Sequence, residues 1–222
     1  MKISIQFEDG SFKEPTKIVA VGRNYHEHIK EMHSEKTESP VLFIKPTTAL
    51  CDINQTLKIP ENMGLVHHEI ELAICISDLC RNVSAEQVPG FIAGYGLALD
   101  LTLRDVQAEA KKKGLPWAVA KGFDGSCPVS VFKKKGLQQV QNLDLSLKLN
   151  GIQKQSGNTS QMIFSIPELI SYISGIYTLL PGDIILTGTP SGVGPLNAGD
   201  SIEAEIKNLV SVKTIVEHHG SA

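Results

Sequence analysis

The clearest periodic pattern in the chain is an alternation of apolar and other residues over positions 66–77. Isoleucine or leucine occupies positions 70, 72, 74 and 76, which share one face of an extended chain. Glu69 and Glu71 share the opposite face, because side chains two residues apart on a strand leave the same side. The pattern therefore predicts a strand that packs an apolar face into a core and presents two carboxylates on the other.

Shorter patterns predict further strands and a few helices. The predicted strands are two short ones within residues 1–21 around a turn at 8–11, and then 40–45, 90–101, 143–149, 184–187 and 201–206. The predicted helices are 24–33, a helix start at 84–87 with Ser84 as its cap, 102–113 and 165–178. Asn150-Gly151 is typical of a hairpin turn. Because strands and helices do not alternate regularly, the pattern favours a mixed α+β, β-rich sheet roll over a doubly wound parallel sheet.

Composition narrows the classes of function. The 222 residues are 41% hydrophobic with a formal net charge of −3, which is typical of a globular protein. The lysine runs at 111–113 and 133–135 are too short to indicate a nucleic-acid surface, so we interpret them as solvated. No apolar run approaches the roughly 18 residues of a membrane span. The four cysteines form no Cys-x-x-Cys pair, so we expect reduced thiols and a cytoplasmic location.

Three carboxylates suggest a metal site. Glu69 and Glu71 repel each other if they are buried together, unless one is protonated or a cation lies between them. Asp100 ends the apolar run 94–99, where a carboxylate is unexpected. Three carboxylates are a typical ligand set for Mg²⁺, Mn²⁺ or Ca²⁺. The spacing leaves an alternative open, since Glu-x-Glu is also common on strand faces that contact water.

Eight short motifs follow one another along the chain: Gly22-Arg-Asn-Tyr-His-Glu-His28, Pro40-Val-Leu-Phe-Ile-Lys-Pro46, His68-Glu-Ile-Glu-Leu72, Leu99-Asp-Leu-Thr-Leu-Arg-Asp-Val-Gln107, Lys113-Gly-Leu-Pro-Trp117, Ala120-Lys-Gly-Phe-Asp124, Met162-Ile-Phe-Ser165 and Ile185-Leu-Thr-Gly-Thr-Pro-Ser-Gly-Val-Gly194. Together they resemble the fumarylacetoacetate hydrolase family, in particular its short branch of acylpyruvases and oxaloacetate decarboxylases or tautomerases. The resemblance implies a β-sandwich roll with a few short helices and a homodimer. It also implies a short N-terminal strand extension at 1–16 before a single catalytic domain at 17–222. The chain lacks the long N-terminal domain of the founding hydrolase, which argues against fumarylacetoacetate as the substrate.

The resemblance assigns roles to individual residues. It implies that Glu69, Glu71 and Asp100 bind Mg²⁺, with Mn²⁺ or Ca²⁺ as substitutes. His28 and Glu31 are three apart on a predicted helix and so share a face. Composition alone favours a solvated helix, but the family places a His–Glu dyad here, which would act as the general base. Lys121 would stabilise an enolate.

Further polar residues are candidates for substrate contact. They are Arg23, Lys45, Arg104, Gln107 and the hydroxyl of Thr189 in the glycine-rich loop 187–194. The reaction that we expect first is the metal-dependent hydrolysis of a C–C bond in acylpyruvates such as acetylpyruvate or fumarylpyruvate. The alternative is decarboxylation or keto–enol tautomerisation of oxaloacetate, which needs the same chelated 2-oxo acid. An alternative of a different class is a non-catalytic, metal-binding dimeric scaffold.

Overall fold

A seven-stranded mixed sheet forms the centre of the computed structural model, which describes residues 4–32 and 37–219. Across this sheet the strands are Val41–Lys45, Ile18–Gly22, Ile184–Leu186, Ile70–Ile76, Ile92–Leu99, Cys127–Val129 and Leu50–Asp52. Two of its six pairings are parallel and four are antiparallel. Parts of three predicted segments, at residues 1–3, 33 and 220–222, lie outside the described residues.

A second sheet of five strands accompanies the first. Its strands, in spatial order, are Ile152–Asn158, Asp144–Leu149, Ser201–Ile206, Val210–His218 and Leu57–Ile59. Asn150 and Gly151 join the first two strands with φ angles of 53° and 77°. Two consecutive residues in the left-handed region are the requirement of a type I′ hairpin turn, so the hairpin predicted from Asn-Gly is confirmed.

The remaining elements are short. Two small sheets contain Thr102–Leu103, Val66–His68 and Gly194–Pro195 in one and Ile5–Gln6 and Phe12–Lys13 in the other. The α-helices are His26–Glu31, Arg104–Lys113, Ala118–Lys121, Leu137–Val140 and Ile166–Ile176, and the 3₁₀ helices are Thr47–Ala49, Val88–Phe91 and Thr159–Gln161. Among the described residues, no helix has the length and apolar character needed to cross a membrane.

Two apolar clusters bury both faces of the large sheet. The main cluster joins the even-numbered residues of Ile70–Ile76 to side chains of the five-stranded sheet. Ala73 and Cys75 belong to a second cluster on the other face, together with Ile5 and Phe7 of the N-terminal segment. The strand is therefore buried on both faces, although alternation alone predicted only one. The predicted class, a β-rich mixed α+β roll with few helices, is confirmed.

The strand predicted over 66–77 divides at Glu69. Val66–His68 belongs to a small sheet, and Ile70–Ile76 belongs to the large one. Across this break the side-chain oxygen of the buried Gln155 accepts the backbone N–H of Ile70 at 3.0 Å and lies 2.9 Å from Nδ1 of His68. Gln155, which is distant in the sequence, thus stabilises the break between the two strands, and a local pattern cannot reveal such a contact.

Two predicted helices differ from the structure near their starts. Residues 84–87 form turns, and only the 3₁₀ helix Val88–Phe91 follows, because Pro89 has no N–H with which to continue an α-helix. The helix predicted from residue 102 begins at Arg104, because Thr102 and Leu103 pair as a strand with Val66–His68. The helix predicted over 165–178 spans Ile166–Ile176, and Ser165 and Glu168 form a capping box at its start.

The N-terminal segment packs closely against the rest of the chain. Phe7 lies 5.9 Å from the ring of Phe132, measured between centroids. Asp183, fully buried at the start of a central strand, accepts the backbone N–H groups of Thr16 at 2.9 Å and Lys17 at 3.1 Å. These contacts cross the predicted boundary after residue 16, and that boundary stays a prediction.

Candidate metal centre and catalytic site

Two neighbouring central strands bring three carboxylates together. Glu69 precedes Ile70–Ile76 and Glu71 lies within it, whereas Asp100 directly follows Ile92–Leu99. The strands are antiparallel, so the start of one lies beside the end of the other. The backbone N–H of Asp100 donates to the carbonyl of Glu69 at 2.8 Å. One oxygen from each of the three carboxylates lies within 4.8 Å of the others.

The burial of these carboxylates decides between the two interpretations of the Glu-x-Glu pattern. Glu69 is 4% exposed, Glu71 1% and Asp100 1%. A solvated strand face is therefore excluded. Charged groups this deeply buried must be paired or coordinated, because an isolated carboxylate in a protein interior loses its hydration at a high cost in free energy.

Cations compensate part of this negative charge. The Nζ of Lys121 lies 2.8 Å from Oε2 of Glu69 and 2.5 Å from Oδ2 of Asp100, and it donates to Oγ1 of Thr102 at 2.6 Å. Arg104 forms a second ion pair with Glu69. Burial acts against the ionised forms, but Lys121 and Arg104 outweigh it and hold the pKa of Glu69 well below its ordinary value. The carboxylates of Asp100 and Glu69 likewise outweigh burial and raise the pKa of Lys121.

The negative charge of Glu71 and of one oxygen of Asp100 has fewer compensating partners. The N–H of Gly188 donates to Oε2 of Glu71 at 2.6 Å. Burial and the nearby carboxylates of Asp100 and Glu69 raise the pKa of Glu71 well above its ordinary value. Oδ1 of Asp100 accepts no hydrogen bond from the described residues, although Nζ of Lys45 lies 2.7 Å away in an ion pair.

This donor set fits a divalent cation. It offers only carboxylate oxygens, which suit hard cations such as Mg²⁺, Mn²⁺ and Ca²⁺. A divalent charge among the three carboxylates would relieve the repulsion that raises the pKa of Glu71. The residues present can therefore hold the cation, and among the described residues they are the group whose geometry permits it.

The predicted His–Glu dyad is formed. Nδ1 of His28 lies 3.2 Å from Oε2 of Glu31, and the N–H of Gly192 donates to Oε1 of Glu31 at 2.9 Å. His28 is buried and lines the same cavity as the three carboxylates, whereas His26 on the same helix is exposed. With Nδ1 directed at a carboxylate, Nε2 is the nitrogen that remains for proton transfer.

Lys45, which the sequence suggested as a substrate contact, lies outside the cavity lining. Its side chain is fully buried. The ammonium donates to the carbonyls of Leu101 at 3.3 Å and Ser126 at 2.9 Å and to the carbonyl of Lys121, and it forms the ion pair with Asp100. In the structure Lys45 therefore pairs with Asp100 from outside the cavity, and its predicted substrate contact stays a prediction.

The glycine-rich loop also binds protein groups. Its Thr189 hydroxyl donates to the carbonyl of Ile70 at 2.8 Å and accepts from Nε2 of Gln155 at 2.8 Å. The N–H groups of Gly188 and Gly192 donate to protein carboxylates. These contacts position the loop in the structure. Thr189 also lines the cavity, and its predicted substrate contact stays a prediction.

The other three predicted contact residues line the cavity as well. Arg23, Arg104 and Gln107 all contribute to it. Nη1 of Arg104 donates to Oε1 of Gln107 at 2.7 Å while the same guanidinium pairs with Glu69. Arg104 thus pairs with one of the candidate metal ligands, and the predicted substrate contacts of Arg23, Arg104 and Gln107 stay predictions.

Sequence reasoning missed several residues of the site. Lys111, Trp117 and Phe43 line the cavity, and Lys111 was interpreted as part of a solvated lysine run. Helical spacing could have identified it, because positions 104, 107 and 111 share one helix face. Gln155, which joins His68 to the glycine-rich loop, gave no signal, since a glutamine in a polar strand is ordinary.

The chain is similar to known enzymes along most of its length. Residues 17–217 match the family model described as the C-terminal domain of fumarylacetoacetate hydrolase. An oxaloacetate tautomerase of Escherichia coli is 55% identical over 189 residues, covering 84% of this chain and 86% of the relative. A mitochondrial oxaloacetate tautomerase of Bos taurus is 52% identical over 201 residues, covering 90% and 91%.

A solved structure agrees with both the fold and the family. The fumarylpyruvate hydrolase of Pseudomonas aeruginosa, in complex with Mn²⁺ and pyruvate, superposes with a TM-score of 0.91 at 31% identity, covering 97% of this chain and 96% of that one. Because relatives matching nearly the whole chain are enzymes, the alternative of a non-catalytic scaffold is set aside. The chain is an enzyme of the fumarylacetoacetate hydrolase family.

Proposed function

We propose that this protein is a divalent-metal-dependent oxaloacetate keto–enol tautomerase. The observation that carries the proposal is that the three carboxylates, Lys121 and His28 line one cavity, and that His28 is paired with Glu31, so a chelated 2-oxo acid and a base can meet. Relatives at 55% and 52% identity are oxaloacetate tautomerases. They support oxaloacetate more strongly than the acylpyruvate hydrolysis that we first expected.

The chain's own residues supply a base and a stabilising charge for this reaction. When bound, a divalent cation would supply a Lewis acid that polarises the 2-oxo group. Because Nδ1 of His28 faces Glu31, its Nε2 takes the proton from C3 of the substrate. Lys121 offers its ammonium to the negative charge that develops on the C2 oxygen. The protonated His28 then returns this proton to the C2 oxygen, which restores the neutral imidazole, so the reaction is an isomerisation that consumes no water.

Acylpyruvate hydrolysis is the second candidate. The His28–Glu31 pair, 3.2 Å apart, is also suited to activating a water molecule. The fumarylpyruvate hydrolase of Pseudomonas aeruginosa supports this reaction, but at 31% identity. Decarboxylation of oxaloacetate needs the same cavity and would differ by releasing pyruvate.

The test distinguishes tautomerisation of oxaloacetate from reactions that release pyruvate. Loss of the enol absorbance of oxaloacetate reports tautomerisation, and a coupled lactate dehydrogenase assay reports pyruvate. With Mg²⁺, we expect a rapid change in absorbance without pyruvate, and EDTA should abolish it. His28→Ala should reduce turnover by about 10²- to 10⁴-fold. His26→Ala, an exposed histidine on the same helix, is the matched control and should keep wild-type turnover.

Two results would contradict the proposal. If oxaloacetate enol disappears no faster than in buffer while acetylpyruvate or fumarylpyruvate yields pyruvate, the protein is a hydrolase. If His28→Ala and His26→Ala have the same turnover, the dyad is not the base.

We also propose Mg²⁺ as the native cation, a homodimer and a cytoplasmic location. Support for a divalent cation comes from the carboxylate cluster and from the Mn²⁺ bound by the Pseudomonas aeruginosa enzyme. The dimer and the location rest on the family resemblance and on cysteine usage. Light scattering tests the dimer, and a monomer at working concentration would contradict it.

A further inference from the structure

One face of the helix Arg104–Lys113 forms a wall of the cavity. Arg104, Gln107 and Lys111 lie on this face and all line the cavity. Lys111 is half-buried, whereas the next residue, Lys112, is exposed. The helix therefore directs one particular lysine of its basic end towards the metal centre.

The ammonium of Lys111 lies against a ring instead of a carboxylate. Its Nζ is 5.2 Å from the centroid of the Trp117 ring. Among the described residues, no carboxylate lies within ion-pair distance of it, whereas Lys121 and Arg104 are both paired with Glu69. Burial and the neighbouring guanidinium groups lower the pKa of Lys111 to about 8. Within the described part of the chain, the geometry therefore leaves the ammonium of Lys111 without a carboxylate in direct contact.

The charges that line the whole cavity also indicate an excess of positive charge. Four cationic side chains line it, namely Arg23, Arg104, Lys111 and Lys121, against the three carboxylates of the metal centre. With Arg23 left aside, Arg104, Lys111, Lys121 and an added divalent cation exceed the three ionised carboxylates by two positive charges. A 2-oxo acid with one carboxylate compensates one of these charges, and a dicarboxylate compensates two.

Trp117 contacts the ammonium of Lys111, and the Phe43 ring packs next to Trp117 and beneath the ammonium of Lys121. The two ring centroids are 5.9 Å apart, and both rings line the cavity. A cation that is desolvated against aromatic rings binds an incoming anion more strongly than one in water, because less hydration is lost when the anion arrives.

We propose that Lys111 binds the second carboxylate of the substrate and thereby makes the enzyme selective for 2-oxo dicarboxylates over 2-oxo monocarboxylates. The inference rests on the proposed function in that the first carboxylate and the 2-oxo group occupy the metal centre. It adds the residue that recognises the other end of the substrate.

The test measures binding without turnover. The probes are 3,3-difluorooxaloacetate and 3,3-difluoro-2-oxobutyrate, which have no C3 hydrogen and differ only at C4, a carboxylate against a methyl group. Calorimetry with Mg²⁺-loaded protein gives both dissociation constants. We expect Lys111→Met to weaken the dicarboxylate by about 10- to 100-fold, as expected for the loss of a charge-assisted hydrogen bond. Affinity for the monocarboxylate should change little.

Three further variants make the result decisive. Lys112→Met removes an exposed charge from the same helix and should change neither constant. Lys111→Gln repeats the test if Lys111→Met folds poorly, and Lys111→Arg should keep the preference for the dicarboxylate. Equal weakening of both probes, or none, would overturn the inference.

The outcome also separates this inference from the proposed function. If wild-type protein binds both probes equally but tautomerises oxaloacetate, the selectivity is wrong and the function stands. If it prefers the dicarboxylate but does not tautomerise oxaloacetate, the function is wrong and the role of Lys111 stands.

Discussion

Replacing Lys45 with methionine tests whether this lysine holds the metal centre or contacts the substrate. Methionine keeps most of the length of the stem, so little cavity volume is created. The substitution removes the ammonium that donates to Leu101 and Ser126 and pairs with Asp100. All of these contacts are buried, and breaking a buried ion pair by removing one partner costs about 3–5 kcal/mol.

The loss should be visible in thermal unfolding. In a domain of this size, 1 kcal/mol corresponds to about 2–4 °C in melting temperature, so Lys45→Met should melt roughly 6–20 °C lower than wild type. Protein concentration must be held fixed, because association shifts the apparent stability. Lys213→Met is the matched control: that lysine pairs with Glu203 at 2.8 Å on the surface and should leave the melting temperature unchanged.

A substrate contact would give a different result. In that case Lys45→Met would melt within about 2 °C of wild type and would raise the KM for oxaloacetate while leaving the fold intact. That combination would refute the positioning role and support the role expected from the sequence.

Three further predictions concern the metal, the dyad and pH. Glu69→Gln should abolish measurable Mn²⁺ binding in calorimetry while the exposed Glu61→Gln keeps it, and equal affinities would contradict the metal assignment. Glu31→Gln should reduce kcat less than His28→Ala, because the imidazole remains and only its orientation suffers. Asp183→Asn should lower stability by about 1.5–3 kcal/mol at pH 7. Burial by itself would raise the pKa of Asp183, but Lys17 and backbone N–H donors outweigh burial and lower the folded-state pKa below 3.8. Its stabilisation is therefore present above pH 3.8 and is lost as the pH falls further. Urea unfolding should show the difference between wild type and variant vanishing in acid.

The central strand shows what a local pattern can predict. Alternation identified the strand and placed Glu69 and Glu71 on one face. It did not show that this face is buried, because the cover includes Ile5 and Phe7, more than 60 residues away in the sequence. The small side chain of Ala73 permits that packing, but an alanine at this position is equally typical of a solvated face.

The lysines show where local reasoning fails. Lys45 and Ser126 are 81 residues apart in the sequence, so nothing near residue 45 reveals that its ammonium is enclosed. Lys111 was grouped with its neighbours as solvated, because a run of like charges usually faces water. Lys111 lies on the same helix face as Arg104, and this spacing indicates that it lines the cavity. Grouping it with the adjacent lysines led to the wrong interpretation.

The three carboxylates and the cavity-lining helix belong to different parts of the fold, and this separation has a consequence for protein engineering. Glu71 lies within a central strand, and Glu69 and Asp100 lie at the ends of central strands. This sheet is buried on both faces, so substitutions there disturb the core. Gln107 and Lys111 belong to a helix that has one exposed face. A variant library restricted to Gln107 and Lys111 can therefore sample new substrates without changing any of the three carboxylates or Arg104, which pairs with Glu69.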